Sequence, residues 1–172
     1  MRRGEAIGLR WSDLDLETGR ARIVQTIIQI GSRVLISEPK TARGRRPVKL
    51  DQATVAVLRA HRHRMNQGRL LVGPDFNDLG LVFHQPDGTW LHPDAVSEAF
   101  VRRVRRYALP RLTLQGLRHT WATIALEQGI HPRVVQERLG HSTIAITLGI
   151  YSHVSQTLHD QAAELVADLL MS

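Results

Sequence analysis

The 172-residue chain contains no cysteine, so disulfides and thiolate metal sites are excluded. No apolar run approaches the roughly 20 residues that a membrane span needs. The opening "MRRGEAIGLRW" carries two positive charges with no apolar stretch behind them, so it does not read as a signal peptide. Acidic side chains are in deficit, 16 against 23 Lys and Arg, which leaves a formal charge of +7. That balance favours a polyanionic partner, most simply nucleic acid, over an acidic small molecule. There is no internal repeat and no low-complexity segment. With 42% hydrophobic residues the chain can still build a core, and a single cytoplasmic domain without a membrane partner is expected.

Residues 2–9 read as a short helix that ends at the turn formers of "WSDLD". "ARIVQTIIQI" and "RVLISEPK" are β-rich runs separated by Gly31-Ser32, which fits a hairpin, and "RRPVKL" can add a third strand. Asp51 is placed to cap a helix through about Met65 with Val55 and Leu58 facing inward. Residues 66–80 read as a polar, glycine-rich loop, and a small hairpin follows around Asp87-Gly88. Pro93 opens a helix with the stripe Val96, Phe100 and Val104; Arg102, Arg103, Arg105 and Arg106 lie off that stripe as a solvated face.

After Pro110 the pattern is nearly all helical. Leu117, Trp121, Ile124 and Ala125 follow helical spacing as an inward stripe, and Gly129 stops that helix. "HPRVVQERLG" is a second helix, with Pro132 in its first turn and Gly140 past its end. Ser142 or Thr143 can cap a third, through about Ile150, and a last helix carries Leu158 to Leu170 on one side. The sum is an α+β fold: a mainly helical domain with a small antiparallel β-sheet near the N-terminus.

Three polar residues stand out from this framework: Arg118 in "LRHT", His141 in "LGHS" and Tyr151 in "GIYSH". Taken singly, a flanking arginine is usually solvated, a junction histidine usually caps or packs, and a lone tyrosine is usually core or surface. Their joint order and spacing resemble the C-terminal signature of the tyrosine recombinases, the phage-integrase family. "MRRGEAIGLRWSDLDLETG" resembles that family's first arginine motif, which makes Arg2 the first catalytic arginine and Glu5 the acidic residue that helps orient it. "EPKTARGRRPVKL" resembles the hairpin that presents the catalytic lysine, here Lys40, with Arg43, Arg45 and Arg46 as DNA contacts.

The resemblance implies a catalytic domain that cleaves double-stranded DNA through a 3′-phosphotyrosyl link and rejoins it to a new strand. It also implies a homotetramer on DNA, assembled through the C-terminal helix. Family members carry a separate DNA-clamping domain ahead of the first arginine motif, so this chain is expected to be N-terminally truncated, with that core-binding domain absent.

The residue types suit such chemistry. A tyrosine hydroxyl has an ordinary pKa of about 10, which must be offset at the moment of attack. The phosphorane formed by attack on phosphorus spreads negative charge over two non-bridging oxygens. Two guanidiniums hold those oxygens in fork geometry without losing charge. The family assigns protonation of the leaving 5′ oxygen to the hairpin lysine, implying Lys40, and has His141 donate to a phosphate oxygen.

No metal and no cofactor is expected. Asp13, Asp15 and Glu17 read as a turn, with no second acidic cluster to complete a two-metal site.

One position departs from the pattern. The family places a His, less often a Lys, three residues before the second arginine, and here that residue is Gln115. Glutamine can hydrogen-bond a phosphate but cannot take up a proton at neutral pH. His119 points roughly 100° away from Arg118 around the helix and is expected to pack beside the apolar stripe. Two rival readings follow: a catalytically impaired DNA-binding remnant, or a regulator that acts through a protein surface such as the terminal helix.

Overall fold

The computed structural model describes residues 1–31, 33–38 and 44–151, with no side-chain description for Ile150 and Tyr151. Lys40, Arg43 and the expected terminal helix therefore lie outside the described residues. The architecture is α+β, with short strands in the first third and helices after it.

Helix α1 (Arg3–Ile7) leads through a 3₁₀ turn at Trp11–Asp13 into β1 (Leu14–Asp15). Strands β2 (Arg20–Ile23) and β5 (Arg46–Lys49) complete a three-stranded antiparallel sheet in the order β1-β2-β5. Alternation explains it: Ala21 and Ile23 of β2 and Val48 of β5 turn inward, while their neighbours face water. This face packs Leu9, Leu50, Leu58 and Val82 into one core, bordered by Trp11, Val55 and Phe83. His61 seals its edge, bonding the Val82 carbonyl at 2.7 Å and lying against both Trp11 and Phe83.

The expected hairpin forms, but the strand from "RRPVKL" pairs with β2 instead of extending it. The run "ARIVQTIIQI" breaks at Val24-Gln25 into two strands that join different sheets. Among the described residues, strand β3 (Thr26–Ile30) pairs with β4 (Arg33–Ser37) alone, Ile30 opposite Arg33. Gln25 fixes the break by donating to the Gly8 carbonyl at 2.8 Å. Helix α1 then lies directly on β3; a Cβ at Gly4 would run into the Ile27 carbonyl, so only glycine permits that approach.

Helix α2 (Gln52–Val72) starts where expected, with the Asp51 carboxylate accepting from the Thr54 N–H at 2.8 Å. It runs a further seven residues beyond Met65, into the first half of the stretch read as loop. Gly68 sits in open space there, and one interior glycine costs only ~1 kcal/mol. Helix α3 (Pro93–Arg106) buries Val104 and leaves its four arginines exposed.

Helices α4 (Leu114–Glu127) and α5 (Pro132–Leu139) form the second core from Ala122, Ala125, Leu126, Val135 and Leu139. The inward stripe expected on α4 is displaced around the helix: Leu117, Trp121 and Ile124 are 42%, 37% and 53% exposed, while Ala122 and Leu126 are buried. Small side chains let α5 approach closely. Helix α6 (Ile144–Tyr151) then packs against α4 and α5. Among the described residues no helix is long and apolar enough to cross a membrane.

Candidate active site in a basic cleft

Glu5 is the hub. It occupies the third position of α1, a preferred place for a carboxylate to reach back to the helix start. Its Oε2 accepts the Arg2 backbone N–H at 2.7 Å and Arg46 Nη2 at 2.8 Å. Its Oε1 accepts Arg2 Nη1 at 2.9 Å and Arg46 Nη1 at 3.1 Å. The residue is only 3% exposed. Burial alone would push the carboxyl up, but the hydrogen bonds from Arg46 and Arg2 outweigh it and hold the pKa at about 2. Glu5 is therefore ionised across the physiological range.

Three consecutive carbonyls at the end of α5 each take a different arginine. Arg46 Nε donates to Arg138 O at 2.8 Å, Arg118 Nη2 donates to Leu139 O, and Arg2 Nη2 donates to Gly140 O at 2.8 Å. Carbonyls at a helix C-terminus lack intrahelical partners and carry partial negative charge, so they attract cations without neutralising them. Three guanidiniums are thereby gathered around one carboxylate, which leaves the cluster net positive.

Arg118 is the least satisfied member. Its Nη1 is buried and has no hydrogen-bond partner among the described residues. Burial, and then the nearby Arg2 charge, pull its pKa down to about 10, still cationic at neutral pH. A buried charged donor without a partner is costly, by ~1–3 kcal/mol or more, and an arriving anion removes that cost.

His141 follows at once. It is 6% exposed, and its Nδ1 lies 2.9 Å from the hydroxyl of fully buried Thr147 on α6. Burial, and then the charges of Arg118 and Arg2, push its pKa down to about 4, so the ring is neutral at pH 7. Gln136 Nε2 donates to the His141 carbonyl at 3.3 Å and fixes the turn. Tyr151 closes α6, one helical turn after Thr147.

Arg2, Gln115, Arg118 and His141 line one open cleft of about 1180 Å³. His119 lines it too, which corrects the expectation that it packs beside the apolar stripe. It is solvent-exposed, and Gln115 Nε2 lies 3.4 Å from its Nε2. The available signal was the four-residue spacing from Gln115, which places the two on one face. Thr147 was missed as well; a threonine in "IAITLGI" reads as ordinary helix filler.

Arg45 and Arg46 have different fates. Arg45 is exposed and pairs with Glu38. Arg46, expected to contact DNA, is instead 7% exposed, with its guanidinium consumed by Glu5 and by the carbonyls of Arg138 and Gly44. That expectation is corrected: a side chain with no free donor edge at the surface cannot bind a phosphate. Among the described residues no group of three metal-ligating side chains occurs. Asp15 makes the expected turn, accepting from the Glu17 and Thr18 N–H groups at 2.9 Å.

Residues 1–157 match the phage integrase family. The XerC-like tyrosine recombinase of Caldanaerobacter subterraneus subsp. tengcongensis is 31% identical over 183 residues, covering 99% of this chain and 47% of that protein. The putative prophage phiRv2 integrase of Mycobacterium tuberculosis is 29% identical over 171 residues, covering 98% of this chain and 43% of that one. Among solved structures, the Tn1549 transposon integrase in complex with transposon right end DNA superposes with a TM-score of 0.82 at 26% identity, over 97% of this chain and 55% of that one. The chain thus spans about half the length of the curated relatives it matches.

Proposed function

The chain belongs to the phage integrase family, and from that premise we propose that it is the catalytic half of a site-specific tyrosine recombinase acting on double-stranded DNA. The observation that carries the reading is the arginine pair. Arg2 and Arg118 are held side by side on adjacent carbonyls, and Arg118 has an unsatisfied buried nitrogen. Such a pair is built to receive a dianionic transition state rather than a neutral group.

The step is a transesterification. Tyr151 Oη attacks the scissile phosphorus and gives up its proton to solvent, the bond to the 5′ oxygen breaks, and a 3′-phosphotyrosyl link forms. Arg2 and Arg118 bond the non-bridging oxygens as charge accumulates, and each such preorganised donor is worth ~3–4 kcal/mol in the transition state. His141 takes part as a neutral donor: with Nδ1 accepting the Thr147 hydroxyl proton, Nε2 carries a hydrogen for a phosphate oxygen. Gln115 supplies a second neutral donor from the same face of α4. Lys40 protonates the departing 5′ oxygen, and Arg43 and Arg45 contact backbone phosphates. Attack by a 5′ hydroxyl of another strand reverses the step and completes recombination. A tetramer on DNA, joined through the terminal segment, brings the strands together.

The test is a duplex nicked just downstream of the cleavage site, so that the short fragment bearing the free 5′ hydroxyl diffuses away and the intermediate is trapped. A denaturant-resistant protein–DNA adduct is expected, absent in Tyr151→Phe. An adduct that persists in the Phe variant refutes the assignment.

A further inference from the structure

We infer that Arg46 is a positioning residue for strand cleavage: through Glu5 and the end of α5 it holds Arg2, Arg118 and His141 in one arrangement, while touching no DNA itself. The inference rests on the catalytic reading above and adds a residue to it.

Arg46 spans three parts of the site. Its two terminal nitrogens bond both Glu5 oxygens, and Glu5 in turn holds the backbone and side chain of Arg2. Its Nε holds Arg138 O, the carbonyl just before those that take Arg118 and Arg2. Its Nη1 also bonds Gly44 O, at the end of the connection that carries Lys40 in sequence. The planar guanidinium, with donors on three nitrogens, reaches all of these at once. A lysine ammonium, with its donors at one point, does not.

The turn into His141 is shaped around this side chain. Gly140 sits at φ +68, and a Cβ there would lie 2.5 Å from Arg46 Nη1. Arg46 therefore packs face-on against the residue that precedes His141. Moving the guanidinium moves the α5–α6 turn, and with it the carbonyls of Leu139 and Gly140. A displacement of about 1 Å at a reacting centre is enough to cost roughly 10²-fold in rate.

Arg46→Lys keeps the charge and removes the fork. The first readout needs no activity: the His141 imidazole is titrated by NMR in both forms. The groups that face it are Arg118, Arg2, His119 and Arg46, with Thr147 on its Nδ1. Because the charge is retained, a loosened turn that admits water is expected to raise the His141 midpoint toward the ordinary imidazole value of about 6.5.

The second readout is single-turnover adduct formation on two nicked duplexes, one with the ordinary scissile phosphate and one with a neutral methylphosphonate. Arg46→Lys is expected to slow the ordinary substrate by roughly 10²-fold at near-normal DNA affinity. The neutral substrate offers less charge for Arg2 and Arg118 to balance, so it is expected to lose much less. A merely structural role predicts equal losses on both, in proportion to the unfolded fraction, and that result overturns the inference, as does an unshifted His141 titration. Should Arg46→Lys not fold, Gly140→Ala displaces the same guanidinium and is read by the same two assays. If wild type forms no adduct, the catalytic reading fails, and the His141 titration alone decides whether Arg46 positions the cluster.

Discussion

Gly140→Ala isolates the junction on which the site depends. Two costs add. Gly140 has φ +68 and ψ 43, in the left-handed region, where an alanine loses ~1–2 kcal/mol. Its new methyl would also stand 2.5 Å from Nη1 and 2.8 Å from Cζ of Arg46, far inside van der Waals contact. Arg46 must retreat, and its paired bonds to buried Glu5 stretch or break. Complete loss of one partner of a buried pair costs ~3–5 kcal/mol; a partial retreat costs less. The sum is a destabilisation of about 2–5 kcal/mol, or a melting temperature lower by roughly 5–15 °C for a chain of this size.

Gly68→Ala is the control. It lies inside α2 with nothing within 4 Å of its Cβ, and it should stabilise by ~0.5–1 kcal/mol. Thermal and urea melts of the three proteins decide the matter. A Gly140→Ala protein that melts at or above wild type, or that loses only the backbone cost, refutes the proposed contact with Arg46.

Three further outcomes are expected. Stability should fall as the solution is acidified, in two windows. His141 is pushed from 6.5 to about 4, so its contribution is complete above about pH 6.5 and is lost as pH falls to about 4. Glu5 is held down from 4.5 to about 2, so its contribution is lost only as pH falls below 4.5 toward 2. Urea midpoints measured from pH 7.5 to 3 should show both, and a flat profile between 6.5 and 4 would contradict the burial of a neutral His141.

Gln115→His should raise the single-turnover rate of adduct formation, by up to the roughly 10²-fold of a restored acid–base group, with little change in affinity; an equal or lower rate means that Gln115 beside His119 already suffices. DNA affinity should fall steeply with salt, and Arg45→Gln should reduce the log–log slope by about one phosphate. An unchanged slope would remove exposed Arg45 from the DNA contacts.

Much of the site was legible because its chemistry is written in order along the chain: Arg2, Arg118 and His141 carry motif spacing, and the fold gathers them at one cleft. Helix starts were legible for the same local reasons, as at Asp51, Pro93 and Pro132. What was not legible depended on partners far away in sequence. Arg46 reads like its basic neighbours Arg43 and Arg45, and distant partners make it an interior residue: Glu5, 41 residues upstream, and the Arg138 carbonyl, 92 residues downstream. The inward face of α4 was misread because Ala122 and Ala125 look weak beside Trp121 and Ile124. Close packing against α5 nevertheless selects the small residues and leaves the large ones outside. The break at Val24-Gln25 is likewise set by a tertiary bond to Gly8, since nothing local interrupts the β-rich pattern.

The central claim is that this cleft presents one phosphodiester to one tyrosine. The chain has only two tyrosines, Tyr107 and Tyr151, and Tyr107 is well exposed beyond the end of α3. Trypsin separates them, since Tyr107 follows Arg106 and precedes Arg111, whereas no Lys or Arg follows Arg138. The decisive measurement is mass spectrometry of the trapped adduct after nuclease trimming and tryptic digestion. The account predicts a nucleotide joined through its 3′ phosphate to Tyr151 in the terminal peptide. A nucleotide on the Tyr107 peptide, or one linked through its 5′ phosphate, would contradict it.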